Sequence, residues 1–274
     1  MGTSDGLPAP PVSFDRVAGE YEATRYLPRP VADAVARRVV SGVPAAQWVL
    51  DAGVGTGRLG RSLAGLHPRT VGVDVSRQMM REMLRLAGGG DGNTADAAAM
   101  CLAQADLRAL PFPDGAFAAV LAAHVFHLIG DWERALDEVW RVLRPEGSLF
   151  VSVESRARTE VREFYLQRAA AMGMLPATPG AHSSDLLAAL RNRYGAALSE
   201  EGDAPDLSWA QTLSARQTLA MLERRTYSIL WDLPEPVHRQ LLQETARWVV
   251  RRLGSLDATE TVHTQLVLYR ARKR

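Results

Sequence analysis

Two residue types are nearly missing from this chain. Cysteine occurs once, as Cys101, and every basic side chain except Lys273 is arginine. A single thiol excludes disulfides, a cysteine metal cluster, and a cysteine nucleophile working with a second cysteine. Without an interior lysine there is no Walker-type phosphate loop and no buried Schiff-base lysine. No apolar run reaches the roughly 18 residues of a membrane span, and nothing resembles a signal peptide. A cytoplasmic protein with no membrane partner is therefore expected. Charge is balanced at +1 over 274 residues with no long run of one sign, so a nucleic-acid partner is not expected. A chain of this length is one domain with an embellishment, or at most two, and buries roughly 75% of its unfolded surface. Monomer and homodimer are both compatible with this composition.

What the chain does have is concentrated in Val49-Leu50-Asp51-Ala52-Gly53-Val54-Gly55-Thr56-Gly57-Arg58. An apolar strand ends in a carboxylate, three glycines follow at alternate positions, and a helix is expected from Arg58-Leu59. Residues without Cβ let the backbone approach a ligand, and the first-turn N–H groups face it. The carboxylate before the glycines would repel a pyrophosphate and suits a ligand with a cation there, such as S-adenosylmethionine. The same residues also contain a literal G-x-G-x-x-G, Gly55 to Gly60, with Asp74 standing 17 residues after Gly57, near the spacing of a dinucleotide site. A tight turn without a ligand is the third reading.

Further along, Val71 to Asp74 reads as a second strand ending in an acid, and Ser76 as the N-cap of a helix over 77–87. Met100 to Asp106 reads as a third strand, with Cys101 in its core, and Ala116 to Ala123 as a fourth. The fourth leads into His124-Val125-Phe126-His127. A helix over 132–143 and a fifth strand, Ser148 to Val153, come next. Helices are expected at 13–25 (capped by Ser13), 30–40, 159–172, 184–194, 216–225 and from 235 to about 253. Strands are expected at 207–213 and 261–270. Residues 1–12 read as a disordered tail, and Gly88 to Asp96 as a flexible loop.

The segments LDAGVGTG, GVDVSRQMM, QADLRALPFPDGAF and EVWRVLRPEGSLFVSV resemble, in order and spacing, the successive motifs of class I S-adenosylmethionine-dependent methyltransferases. The resemblance covers residues 12–155 and favours the methyltransferase reading over the dinucleotide one. It implies an α/β, Rossmann-like, seven-stranded sheet with an antiparallel last strand and helices on both faces. The domain would run over 13–274, with a cofactor-binding core at 30–155. Helical cap insertions at about 156–205 and 216–255 would roof the active site. The opening Phe14-Asp15-Arg16-Val17-Ala18-Gly19-Glu20-Tyr21 resembles the F-D-x-x-A-x-x-Y start of ubiquinone and menaquinone C-methyltransferases, in which this helix lids the cofactor.

Site roles follow from that resemblance. Gly53, Gly55 and Gly57 would back the methionyl part of S-adenosylmethionine, Asp51 would reach its amino group, and Asp74 would accept both ribose hydroxyls. Met79 would pack on the adenine, Asp106 would accept from its amino group, and the Leu107 N–H would lie nearby. His124 would flank the sulfonium, and Tyr21 and Arg25 would lie near the carboxylate or the substrate. Structural uses are open for several of these: Asp51 and Asp74 as strand-end caps, Met79 as core filling, Asp106 as a turn former.

Methyl transfer from a sulfonium is an in-line displacement that depends mainly on alignment in a dry site. A base is needed only when the nucleophile carries a proton. His127 is the first candidate base and His124 the second, with polar pocket lining the competing use. No third ligand accompanies this histidine pair, so no metal is expected. Phe164, Tyr165, Tyr227 and Trp231 would line an acceptor pocket or form the cap's own core. His182 and His238 are expected on the surface. Ala118 stands where the family usually has an aspartate. No D/N-P-P-Y follows the fourth strand, which argues against methylation of adenine or glutamine amino groups. The expected product is S-adenosylhomocysteine, and the favoured acceptor a small apolar or aromatic molecule. A methyltransferase acting on tRNA or protein, and a non-enzymatic cofactor-binding protein, are the alternatives.

Overall fold

A computed structural model describes residues 14–88, 100–175, 180–201 and 205–274. The expected tail at 1–12, the Ser13 cap and nearly all of the Gly88–Asp96 loop lie outside the described residues. Five strands run parallel: β1 (Trp48–Ala52), β2 (Thr70–Asp74), β3 (Cys101–Gln104), β4 (Phe117–Ala123) and β5 (Leu143–Arg156). β8 (Thr259–Arg272) is antiparallel to β5, and also to β6 (Ala197–Glu200) and β7 (Ser208–Ser214). The spatial order is β3-β2-β1-β4-β5-β8-β6, with β7 pairing on β8. This is the expected Rossmann-like sheet, with one strand more than seven among the described residues. The additional element is β6, whose Ala-Leu-Ser-Glu is too short and too exposed to show an alternating pattern.

Neighbouring residues in the central strands enter opposite apolar layers, as the period of two requires. Leu50, Val120 and Leu149 pack on one face with Leu136 and Val139, whereas Val49, Leu121 and Phe150 pack on the other with Val35 and Leu63. The first face is covered by α5 (Trp132–Val142) and α7 (Ser183–Asn192), the second by α2 (Arg29–Val40) and α3 (Gly60–Leu66). Burial on both faces is why these strands read as continuous apolar runs. α4 (Arg77–Gly88) starts where expected, because Ser76 Oγ accepts the Met79 N–H at 3.0 Å.

The expected caps divide differently. α6 (Glu160–Ala171), α8 (Ala215–Glu223) and α9 (Glu235–Leu253) form a separate cluster around Tyr165, Leu222, Leu241 and Val249. α7, inside the first expected insertion, instead contributes Leu186 and Leu190 to the main core. Its apolar stripe fits the sheet, so it is a layer of the domain and no roof. Cys101 is exposed, since β3 is the outermost strand.

Candidate active site

The site forms where β1, β2 and β4 end. After Asp51 the chain turns through Gly53 (φ 84°), Gly55 (φ 54°) and Gly57 (φ 80°), a left-handed run that side chains resist. A Cβ on Gly53 would stand 2.7 Å from Val125 Cγ2. The turn is pinned to β2: the Gly53 and Val54 N–H groups both donate to Val73 O at 2.8 Å, and Gly55 N–H donates to Asp74 Oδ2 at 2.9 Å. Ser76 N–H donates to the other Asp74 oxygen at 2.8 Å. The expected strand-end cap is therefore real. Each carboxylate oxygen has capacity for a further hydrogen bond.

One open cavity lies over this turn, about 1030 Å³ with the solvent at its mouth included. Asp51, Gly53, Gly55, Asp74, Met79, Asp106, Leu107, His124 and Tyr21 all line it, as expected of cofactor-binding positions. Gly57 does not. Its missing Cβ makes room for Met83, whose Cγ would stand 2.7 Å away, and so serves the packing of α4.

Asp51 is buried, and burial followed by the Asp74 charge pushes its carboxyl up to about 7. Burial also raises Asp74, against the pull of the Ser76 and Gly55 N–H donors. At Asp106, burial works upward, but the Arg108 hydrogen bonds win and hold it below the usual range. Arg108 grips both Asp106 oxygens, with Nη2 at 2.7 Å from Oδ2.

His124 follows β4 directly, with φ 54°, and lines the cavity. Burial, then the charges of Arg58, His127 and Arg25, push it down to about 3. His127 falls to about 4, from burial and Arg25. His127, the first candidate base, does not line the cavity. The chain winds into a 3-10 turn at Phe126–Leu128, and the His127 carbonyl accepts the Gly180 N–H at 3.1 Å.

The expected acceptor aromatics are elsewhere too. Tyr165 is fully buried in the cap cluster, its hydroxyl 2.5 Å from His238 Nδ1. His238, expected on the surface, is buried with it, whereas His182 is exposed. Phe164 stacks on Trp248 at 4.7 Å. Tyr227 is buried under two guanidiniums, Arg162 at 3.8 Å and Arg25 at 4.9 Å from its ring centre. Trp231 reaches the site at one remove, edge-on at 4.8 Å to Phe14, which lines the cavity.

Several wall residues escaped sequence reasoning. Leu27, Leu59, Ala123 and Leu266 give the cavity an apolar lobe, and Arg58 places a buried Nε without a hydrogen-bond partner in the wall. Arg58 adjoins the glycine motif and could have been flagged. Leu266, on the last strand, carries no local signal. The entry segment closes the remaining side. Asp15 bonds Ser76 Oγ, and in the short helix α1 (Tyr21–Thr24) Glu22 accepts from Thr56 Oγ1 at 2.6 Å and from Arg61 Nη2 at 3.3 Å.

Residues 50–151 match the family described as a methyltransferase domain. Over these residues the chain carries a methyltransferase domain. It is 40% identical over 105 residues to a demethylmenaquinone methyltransferase of Thermus thermophilus, covering 38% of this chain and 45% of that protein. It is 31% identical over 148 residues to a malonyl-[acyl-carrier protein] O-methyltransferase of a Methylovorus species, covering 51% of this chain and 48% of that protein. The matches thus span about half the length of these relatives. Among solved structures, the YcgJ protein of Bacillus subtilis superposes with TM-score 0.58 at 16% identity, covering 89% of this chain and 98% of that one. A Haemonchus contortus phosphoethanolamine N-methyltransferase, solved with phosphomonomethylethanolamine and S-adenosylhomocysteine, superposes with TM-score 0.52 at 16% identity, covering 95% of this chain and 57% of that one. Such similarity establishes the fold of the methyltransferase domain.

Among the described residues no group of three or more His, Cys, Asp or Glu is placed to hold a metal, and no helix is long and apolar enough to cross a membrane.

Proposed function

We propose that this protein transfers the methyl group of S-adenosylmethionine to a small acceptor with an apolar body. The observation that carries the reading is a single cavity lined by both a cofactor cradle and an apolar lobe. The cradle fits the cofactor group by group. Asp51 offers a buried carboxylate for an ammonium, Asp74 offers two acceptor oxygens for a ribose diol, and Met79 offers an apolar surface for a base. Asp106 and the adjoining Leu107 backbone complete the base end.

When bound, the cofactor supplies an electrophilic methyl on a sulfonium. The chain's own residues orient and exclude water. Leu27, Leu59, Ala123 and Leu266 offer the acceptor a dry surface, and Phe14 and Tyr21 close over it from the entry segment. Among the described residues His124 is the only imidazole in the wall, and its depressed pKa keeps it neutral at physiological pH. The relatives' names point to two different acceptors, a demethylmenaquinone and a malonyl-acyl carrier protein.

Calorimetric titration of the purified chain with S-adenosylhomocysteine, and separately with NAD, tests the reading. Binding of the homocysteine compound alone is expected. Binding of NAD alone would return the glycine motif to a dinucleotide, and binding of neither would remove the cofactor assignment.

A further inference from the structure

Of the eight methionines in the chain, Met79, Met80, Met83 and Met100 gather at the glycine turn. Three of them fill space that absent Cβ atoms leave. A Cβ on Gly55 would stand 3.4 Å from Met79 Cε, one on Gly57 2.7 Å from Met83 Cγ, and one on Gly72 2.8 Å from Met100 Sδ. Flexible, polarisable thioethers suit such irregular gaps. They also take up oxygen from peroxides.

Access separates the four. Met83 is fully buried, and Met80 and Met100 pack with it in the layer behind the turn, against Val54 and Ala64. Met79 is buried too, yet it lines the open cavity beside Gly55 and Asp74. Among the described residues it is the only methionine in that wall. A small oxidant entering the cavity therefore meets Met79 first, and a ligand seated in the cradle covers it.

Resting on the methyl-transfer reading, we propose that Met79 is an oxidation site that controls cofactor binding. Hydrogen peroxide in the empty cavity converts its thioether to the sulfoxide, and a bound cofactor shields it. The oxygen–oxygen bond breaks as a sulfur–oxygen bond forms; the sulfur is oxidised and the peroxide is reduced to water. The product turns the apolar surface that Met79 offers to the base into a polar one. With a base seated on it, the new oxygen lacks a donor close by. The Gly55 N–H is already given to Asp74 Oδ2, and the Met79 N–H to Ser76 Oγ. A buried acceptor left unpaired weakens binding. Enzymatic reduction of the sulfoxide restores the thioether, so the change is reversible.

The test exposes the full chain to hydrogen peroxide with and without saturating sinefungin, a cofactor analogue that contains no sulfur. Catalase then removes the peroxide, and peptide mass spectrometry reads one added oxygen at each methionine. In the free chain Met79 is expected to oxidise ahead of Met80, Met83 and Met100. Sinefungin is expected to protect Met79 and to leave Met174, which is 38% exposed, unprotected. Calorimetry with S-adenosylhomocysteine follows, each protein being compared with its own untreated form. Affinity is expected to fall about tenfold on treatment of the parent chain and of Met174→Leu, and by less than about twofold in Met79→Leu. Absence of binding to the untreated chain would end the methyl-transfer reading, whereas the order of oxidation is read without any ligand. Oxidation of Met79 that lags Met80 or Met100, equal oxidation with and without sinefungin, unchanged affinity once Met79 is oxidised, or a full loss that persists in Met79→Leu overturns the proposal.

Discussion

Burial and the neighbouring charge of Asp74 push the Asp51 carboxyl up to about 7, so near neutrality this group is poised between its two forms. A ligand ammonium favours the ionised form. Binding of S-adenosylhomocysteine should therefore release a proton, and its affinity should rise with pH up to about 7, by at most tenfold per unit. Asp51→Asn should weaken binding and flatten this slope, measured by calorimetry from about pH 5.5 to 7.5. Stability runs the other way. A folded pKa above the unfolded one contributes stability that is fully present below about 4 and lost as pH rises through about 7. Ligand-free Asp51→Asn should thus be more stable than the parent protein at pH 8, by a few kcal/mol at most, with a smaller gain at pH 5 and none below about pH 4. His124 and His127 have the opposite sign: their contribution is present above the unfolded value of 6.5 and lost as pH falls through about 4 and then about 3. At this scale the sequence was legible wherever chemistry is local. Asp51, Gly53, Gly55 and Asp74 reached the cavity because a strand that ends at glycines determines its own geometry within a few residues. His127, Tyr165 and Tyr227 did not reach it, because a 3-10 turn and the packing of distant helices decide which way those side chains face.

The entry segment is held at both ends of the cradle, by Asp15 on Ser76 and by Glu22 on Thr56 and Arg61. It also touches the cap through the Phe14–Trp231 pair. A ligand in the cradle would lie beneath this segment, so its escape should require these bonds to open. Glu22→Gln keeps the shape and removes the charge. For a half-exposed site the loss is on the order of 1 kcal/mol, so the dissociation rate of S-adenosylhomocysteine should rise about fivefold. Stopped-flow displacement measures this, and an unchanged rate would show that the ligand leaves by another route. This element was only partly legible. The F-D-x-x-A-x-x-Y pattern indicates a helix, whereas the chain forms a 3-10 turn at Asp15–Glu20 before α1. The Glu22 contact joins residues 34 positions apart and has no trace in either segment alone.

Seen whole, the molecule has a sheet core with α2, α3, α5 and α7 on its faces, and a second apolar cluster built from α6, α8 and α9. β8 joins them, because its one run of residues pairs with β5, β6 and β7. The parallel half was legible from its buried strands. The division of labour between α6 and α7 was not, since both carry apolar stripes and only the surfaces opposite them differ. Separate clusters should respond separately to damage. Tyr165→Phe leaves the buried His238 without its hydroxyl partner and should cost about 1–3 kcal/mol of stability, read as a lower thermal midpoint. Affinity for S-adenosylhomocysteine should stay unchanged in that variant, because among the described residues no cap-cluster side chain lines the cavity. A parallel loss of affinity would mean that cap and cradle fold as one unit.

The single thiol has a practical consequence. Cys101 is exposed on the outermost strand, and its neighbour Leu102 pairs with Gly72, two residues before Asp74. A maleimide dye would therefore attach at one position of the unmodified chain, a short walk along the sheet from the ribose end of the cavity. Ligand arrival could be followed as a change in emission, without engineering a labelling site.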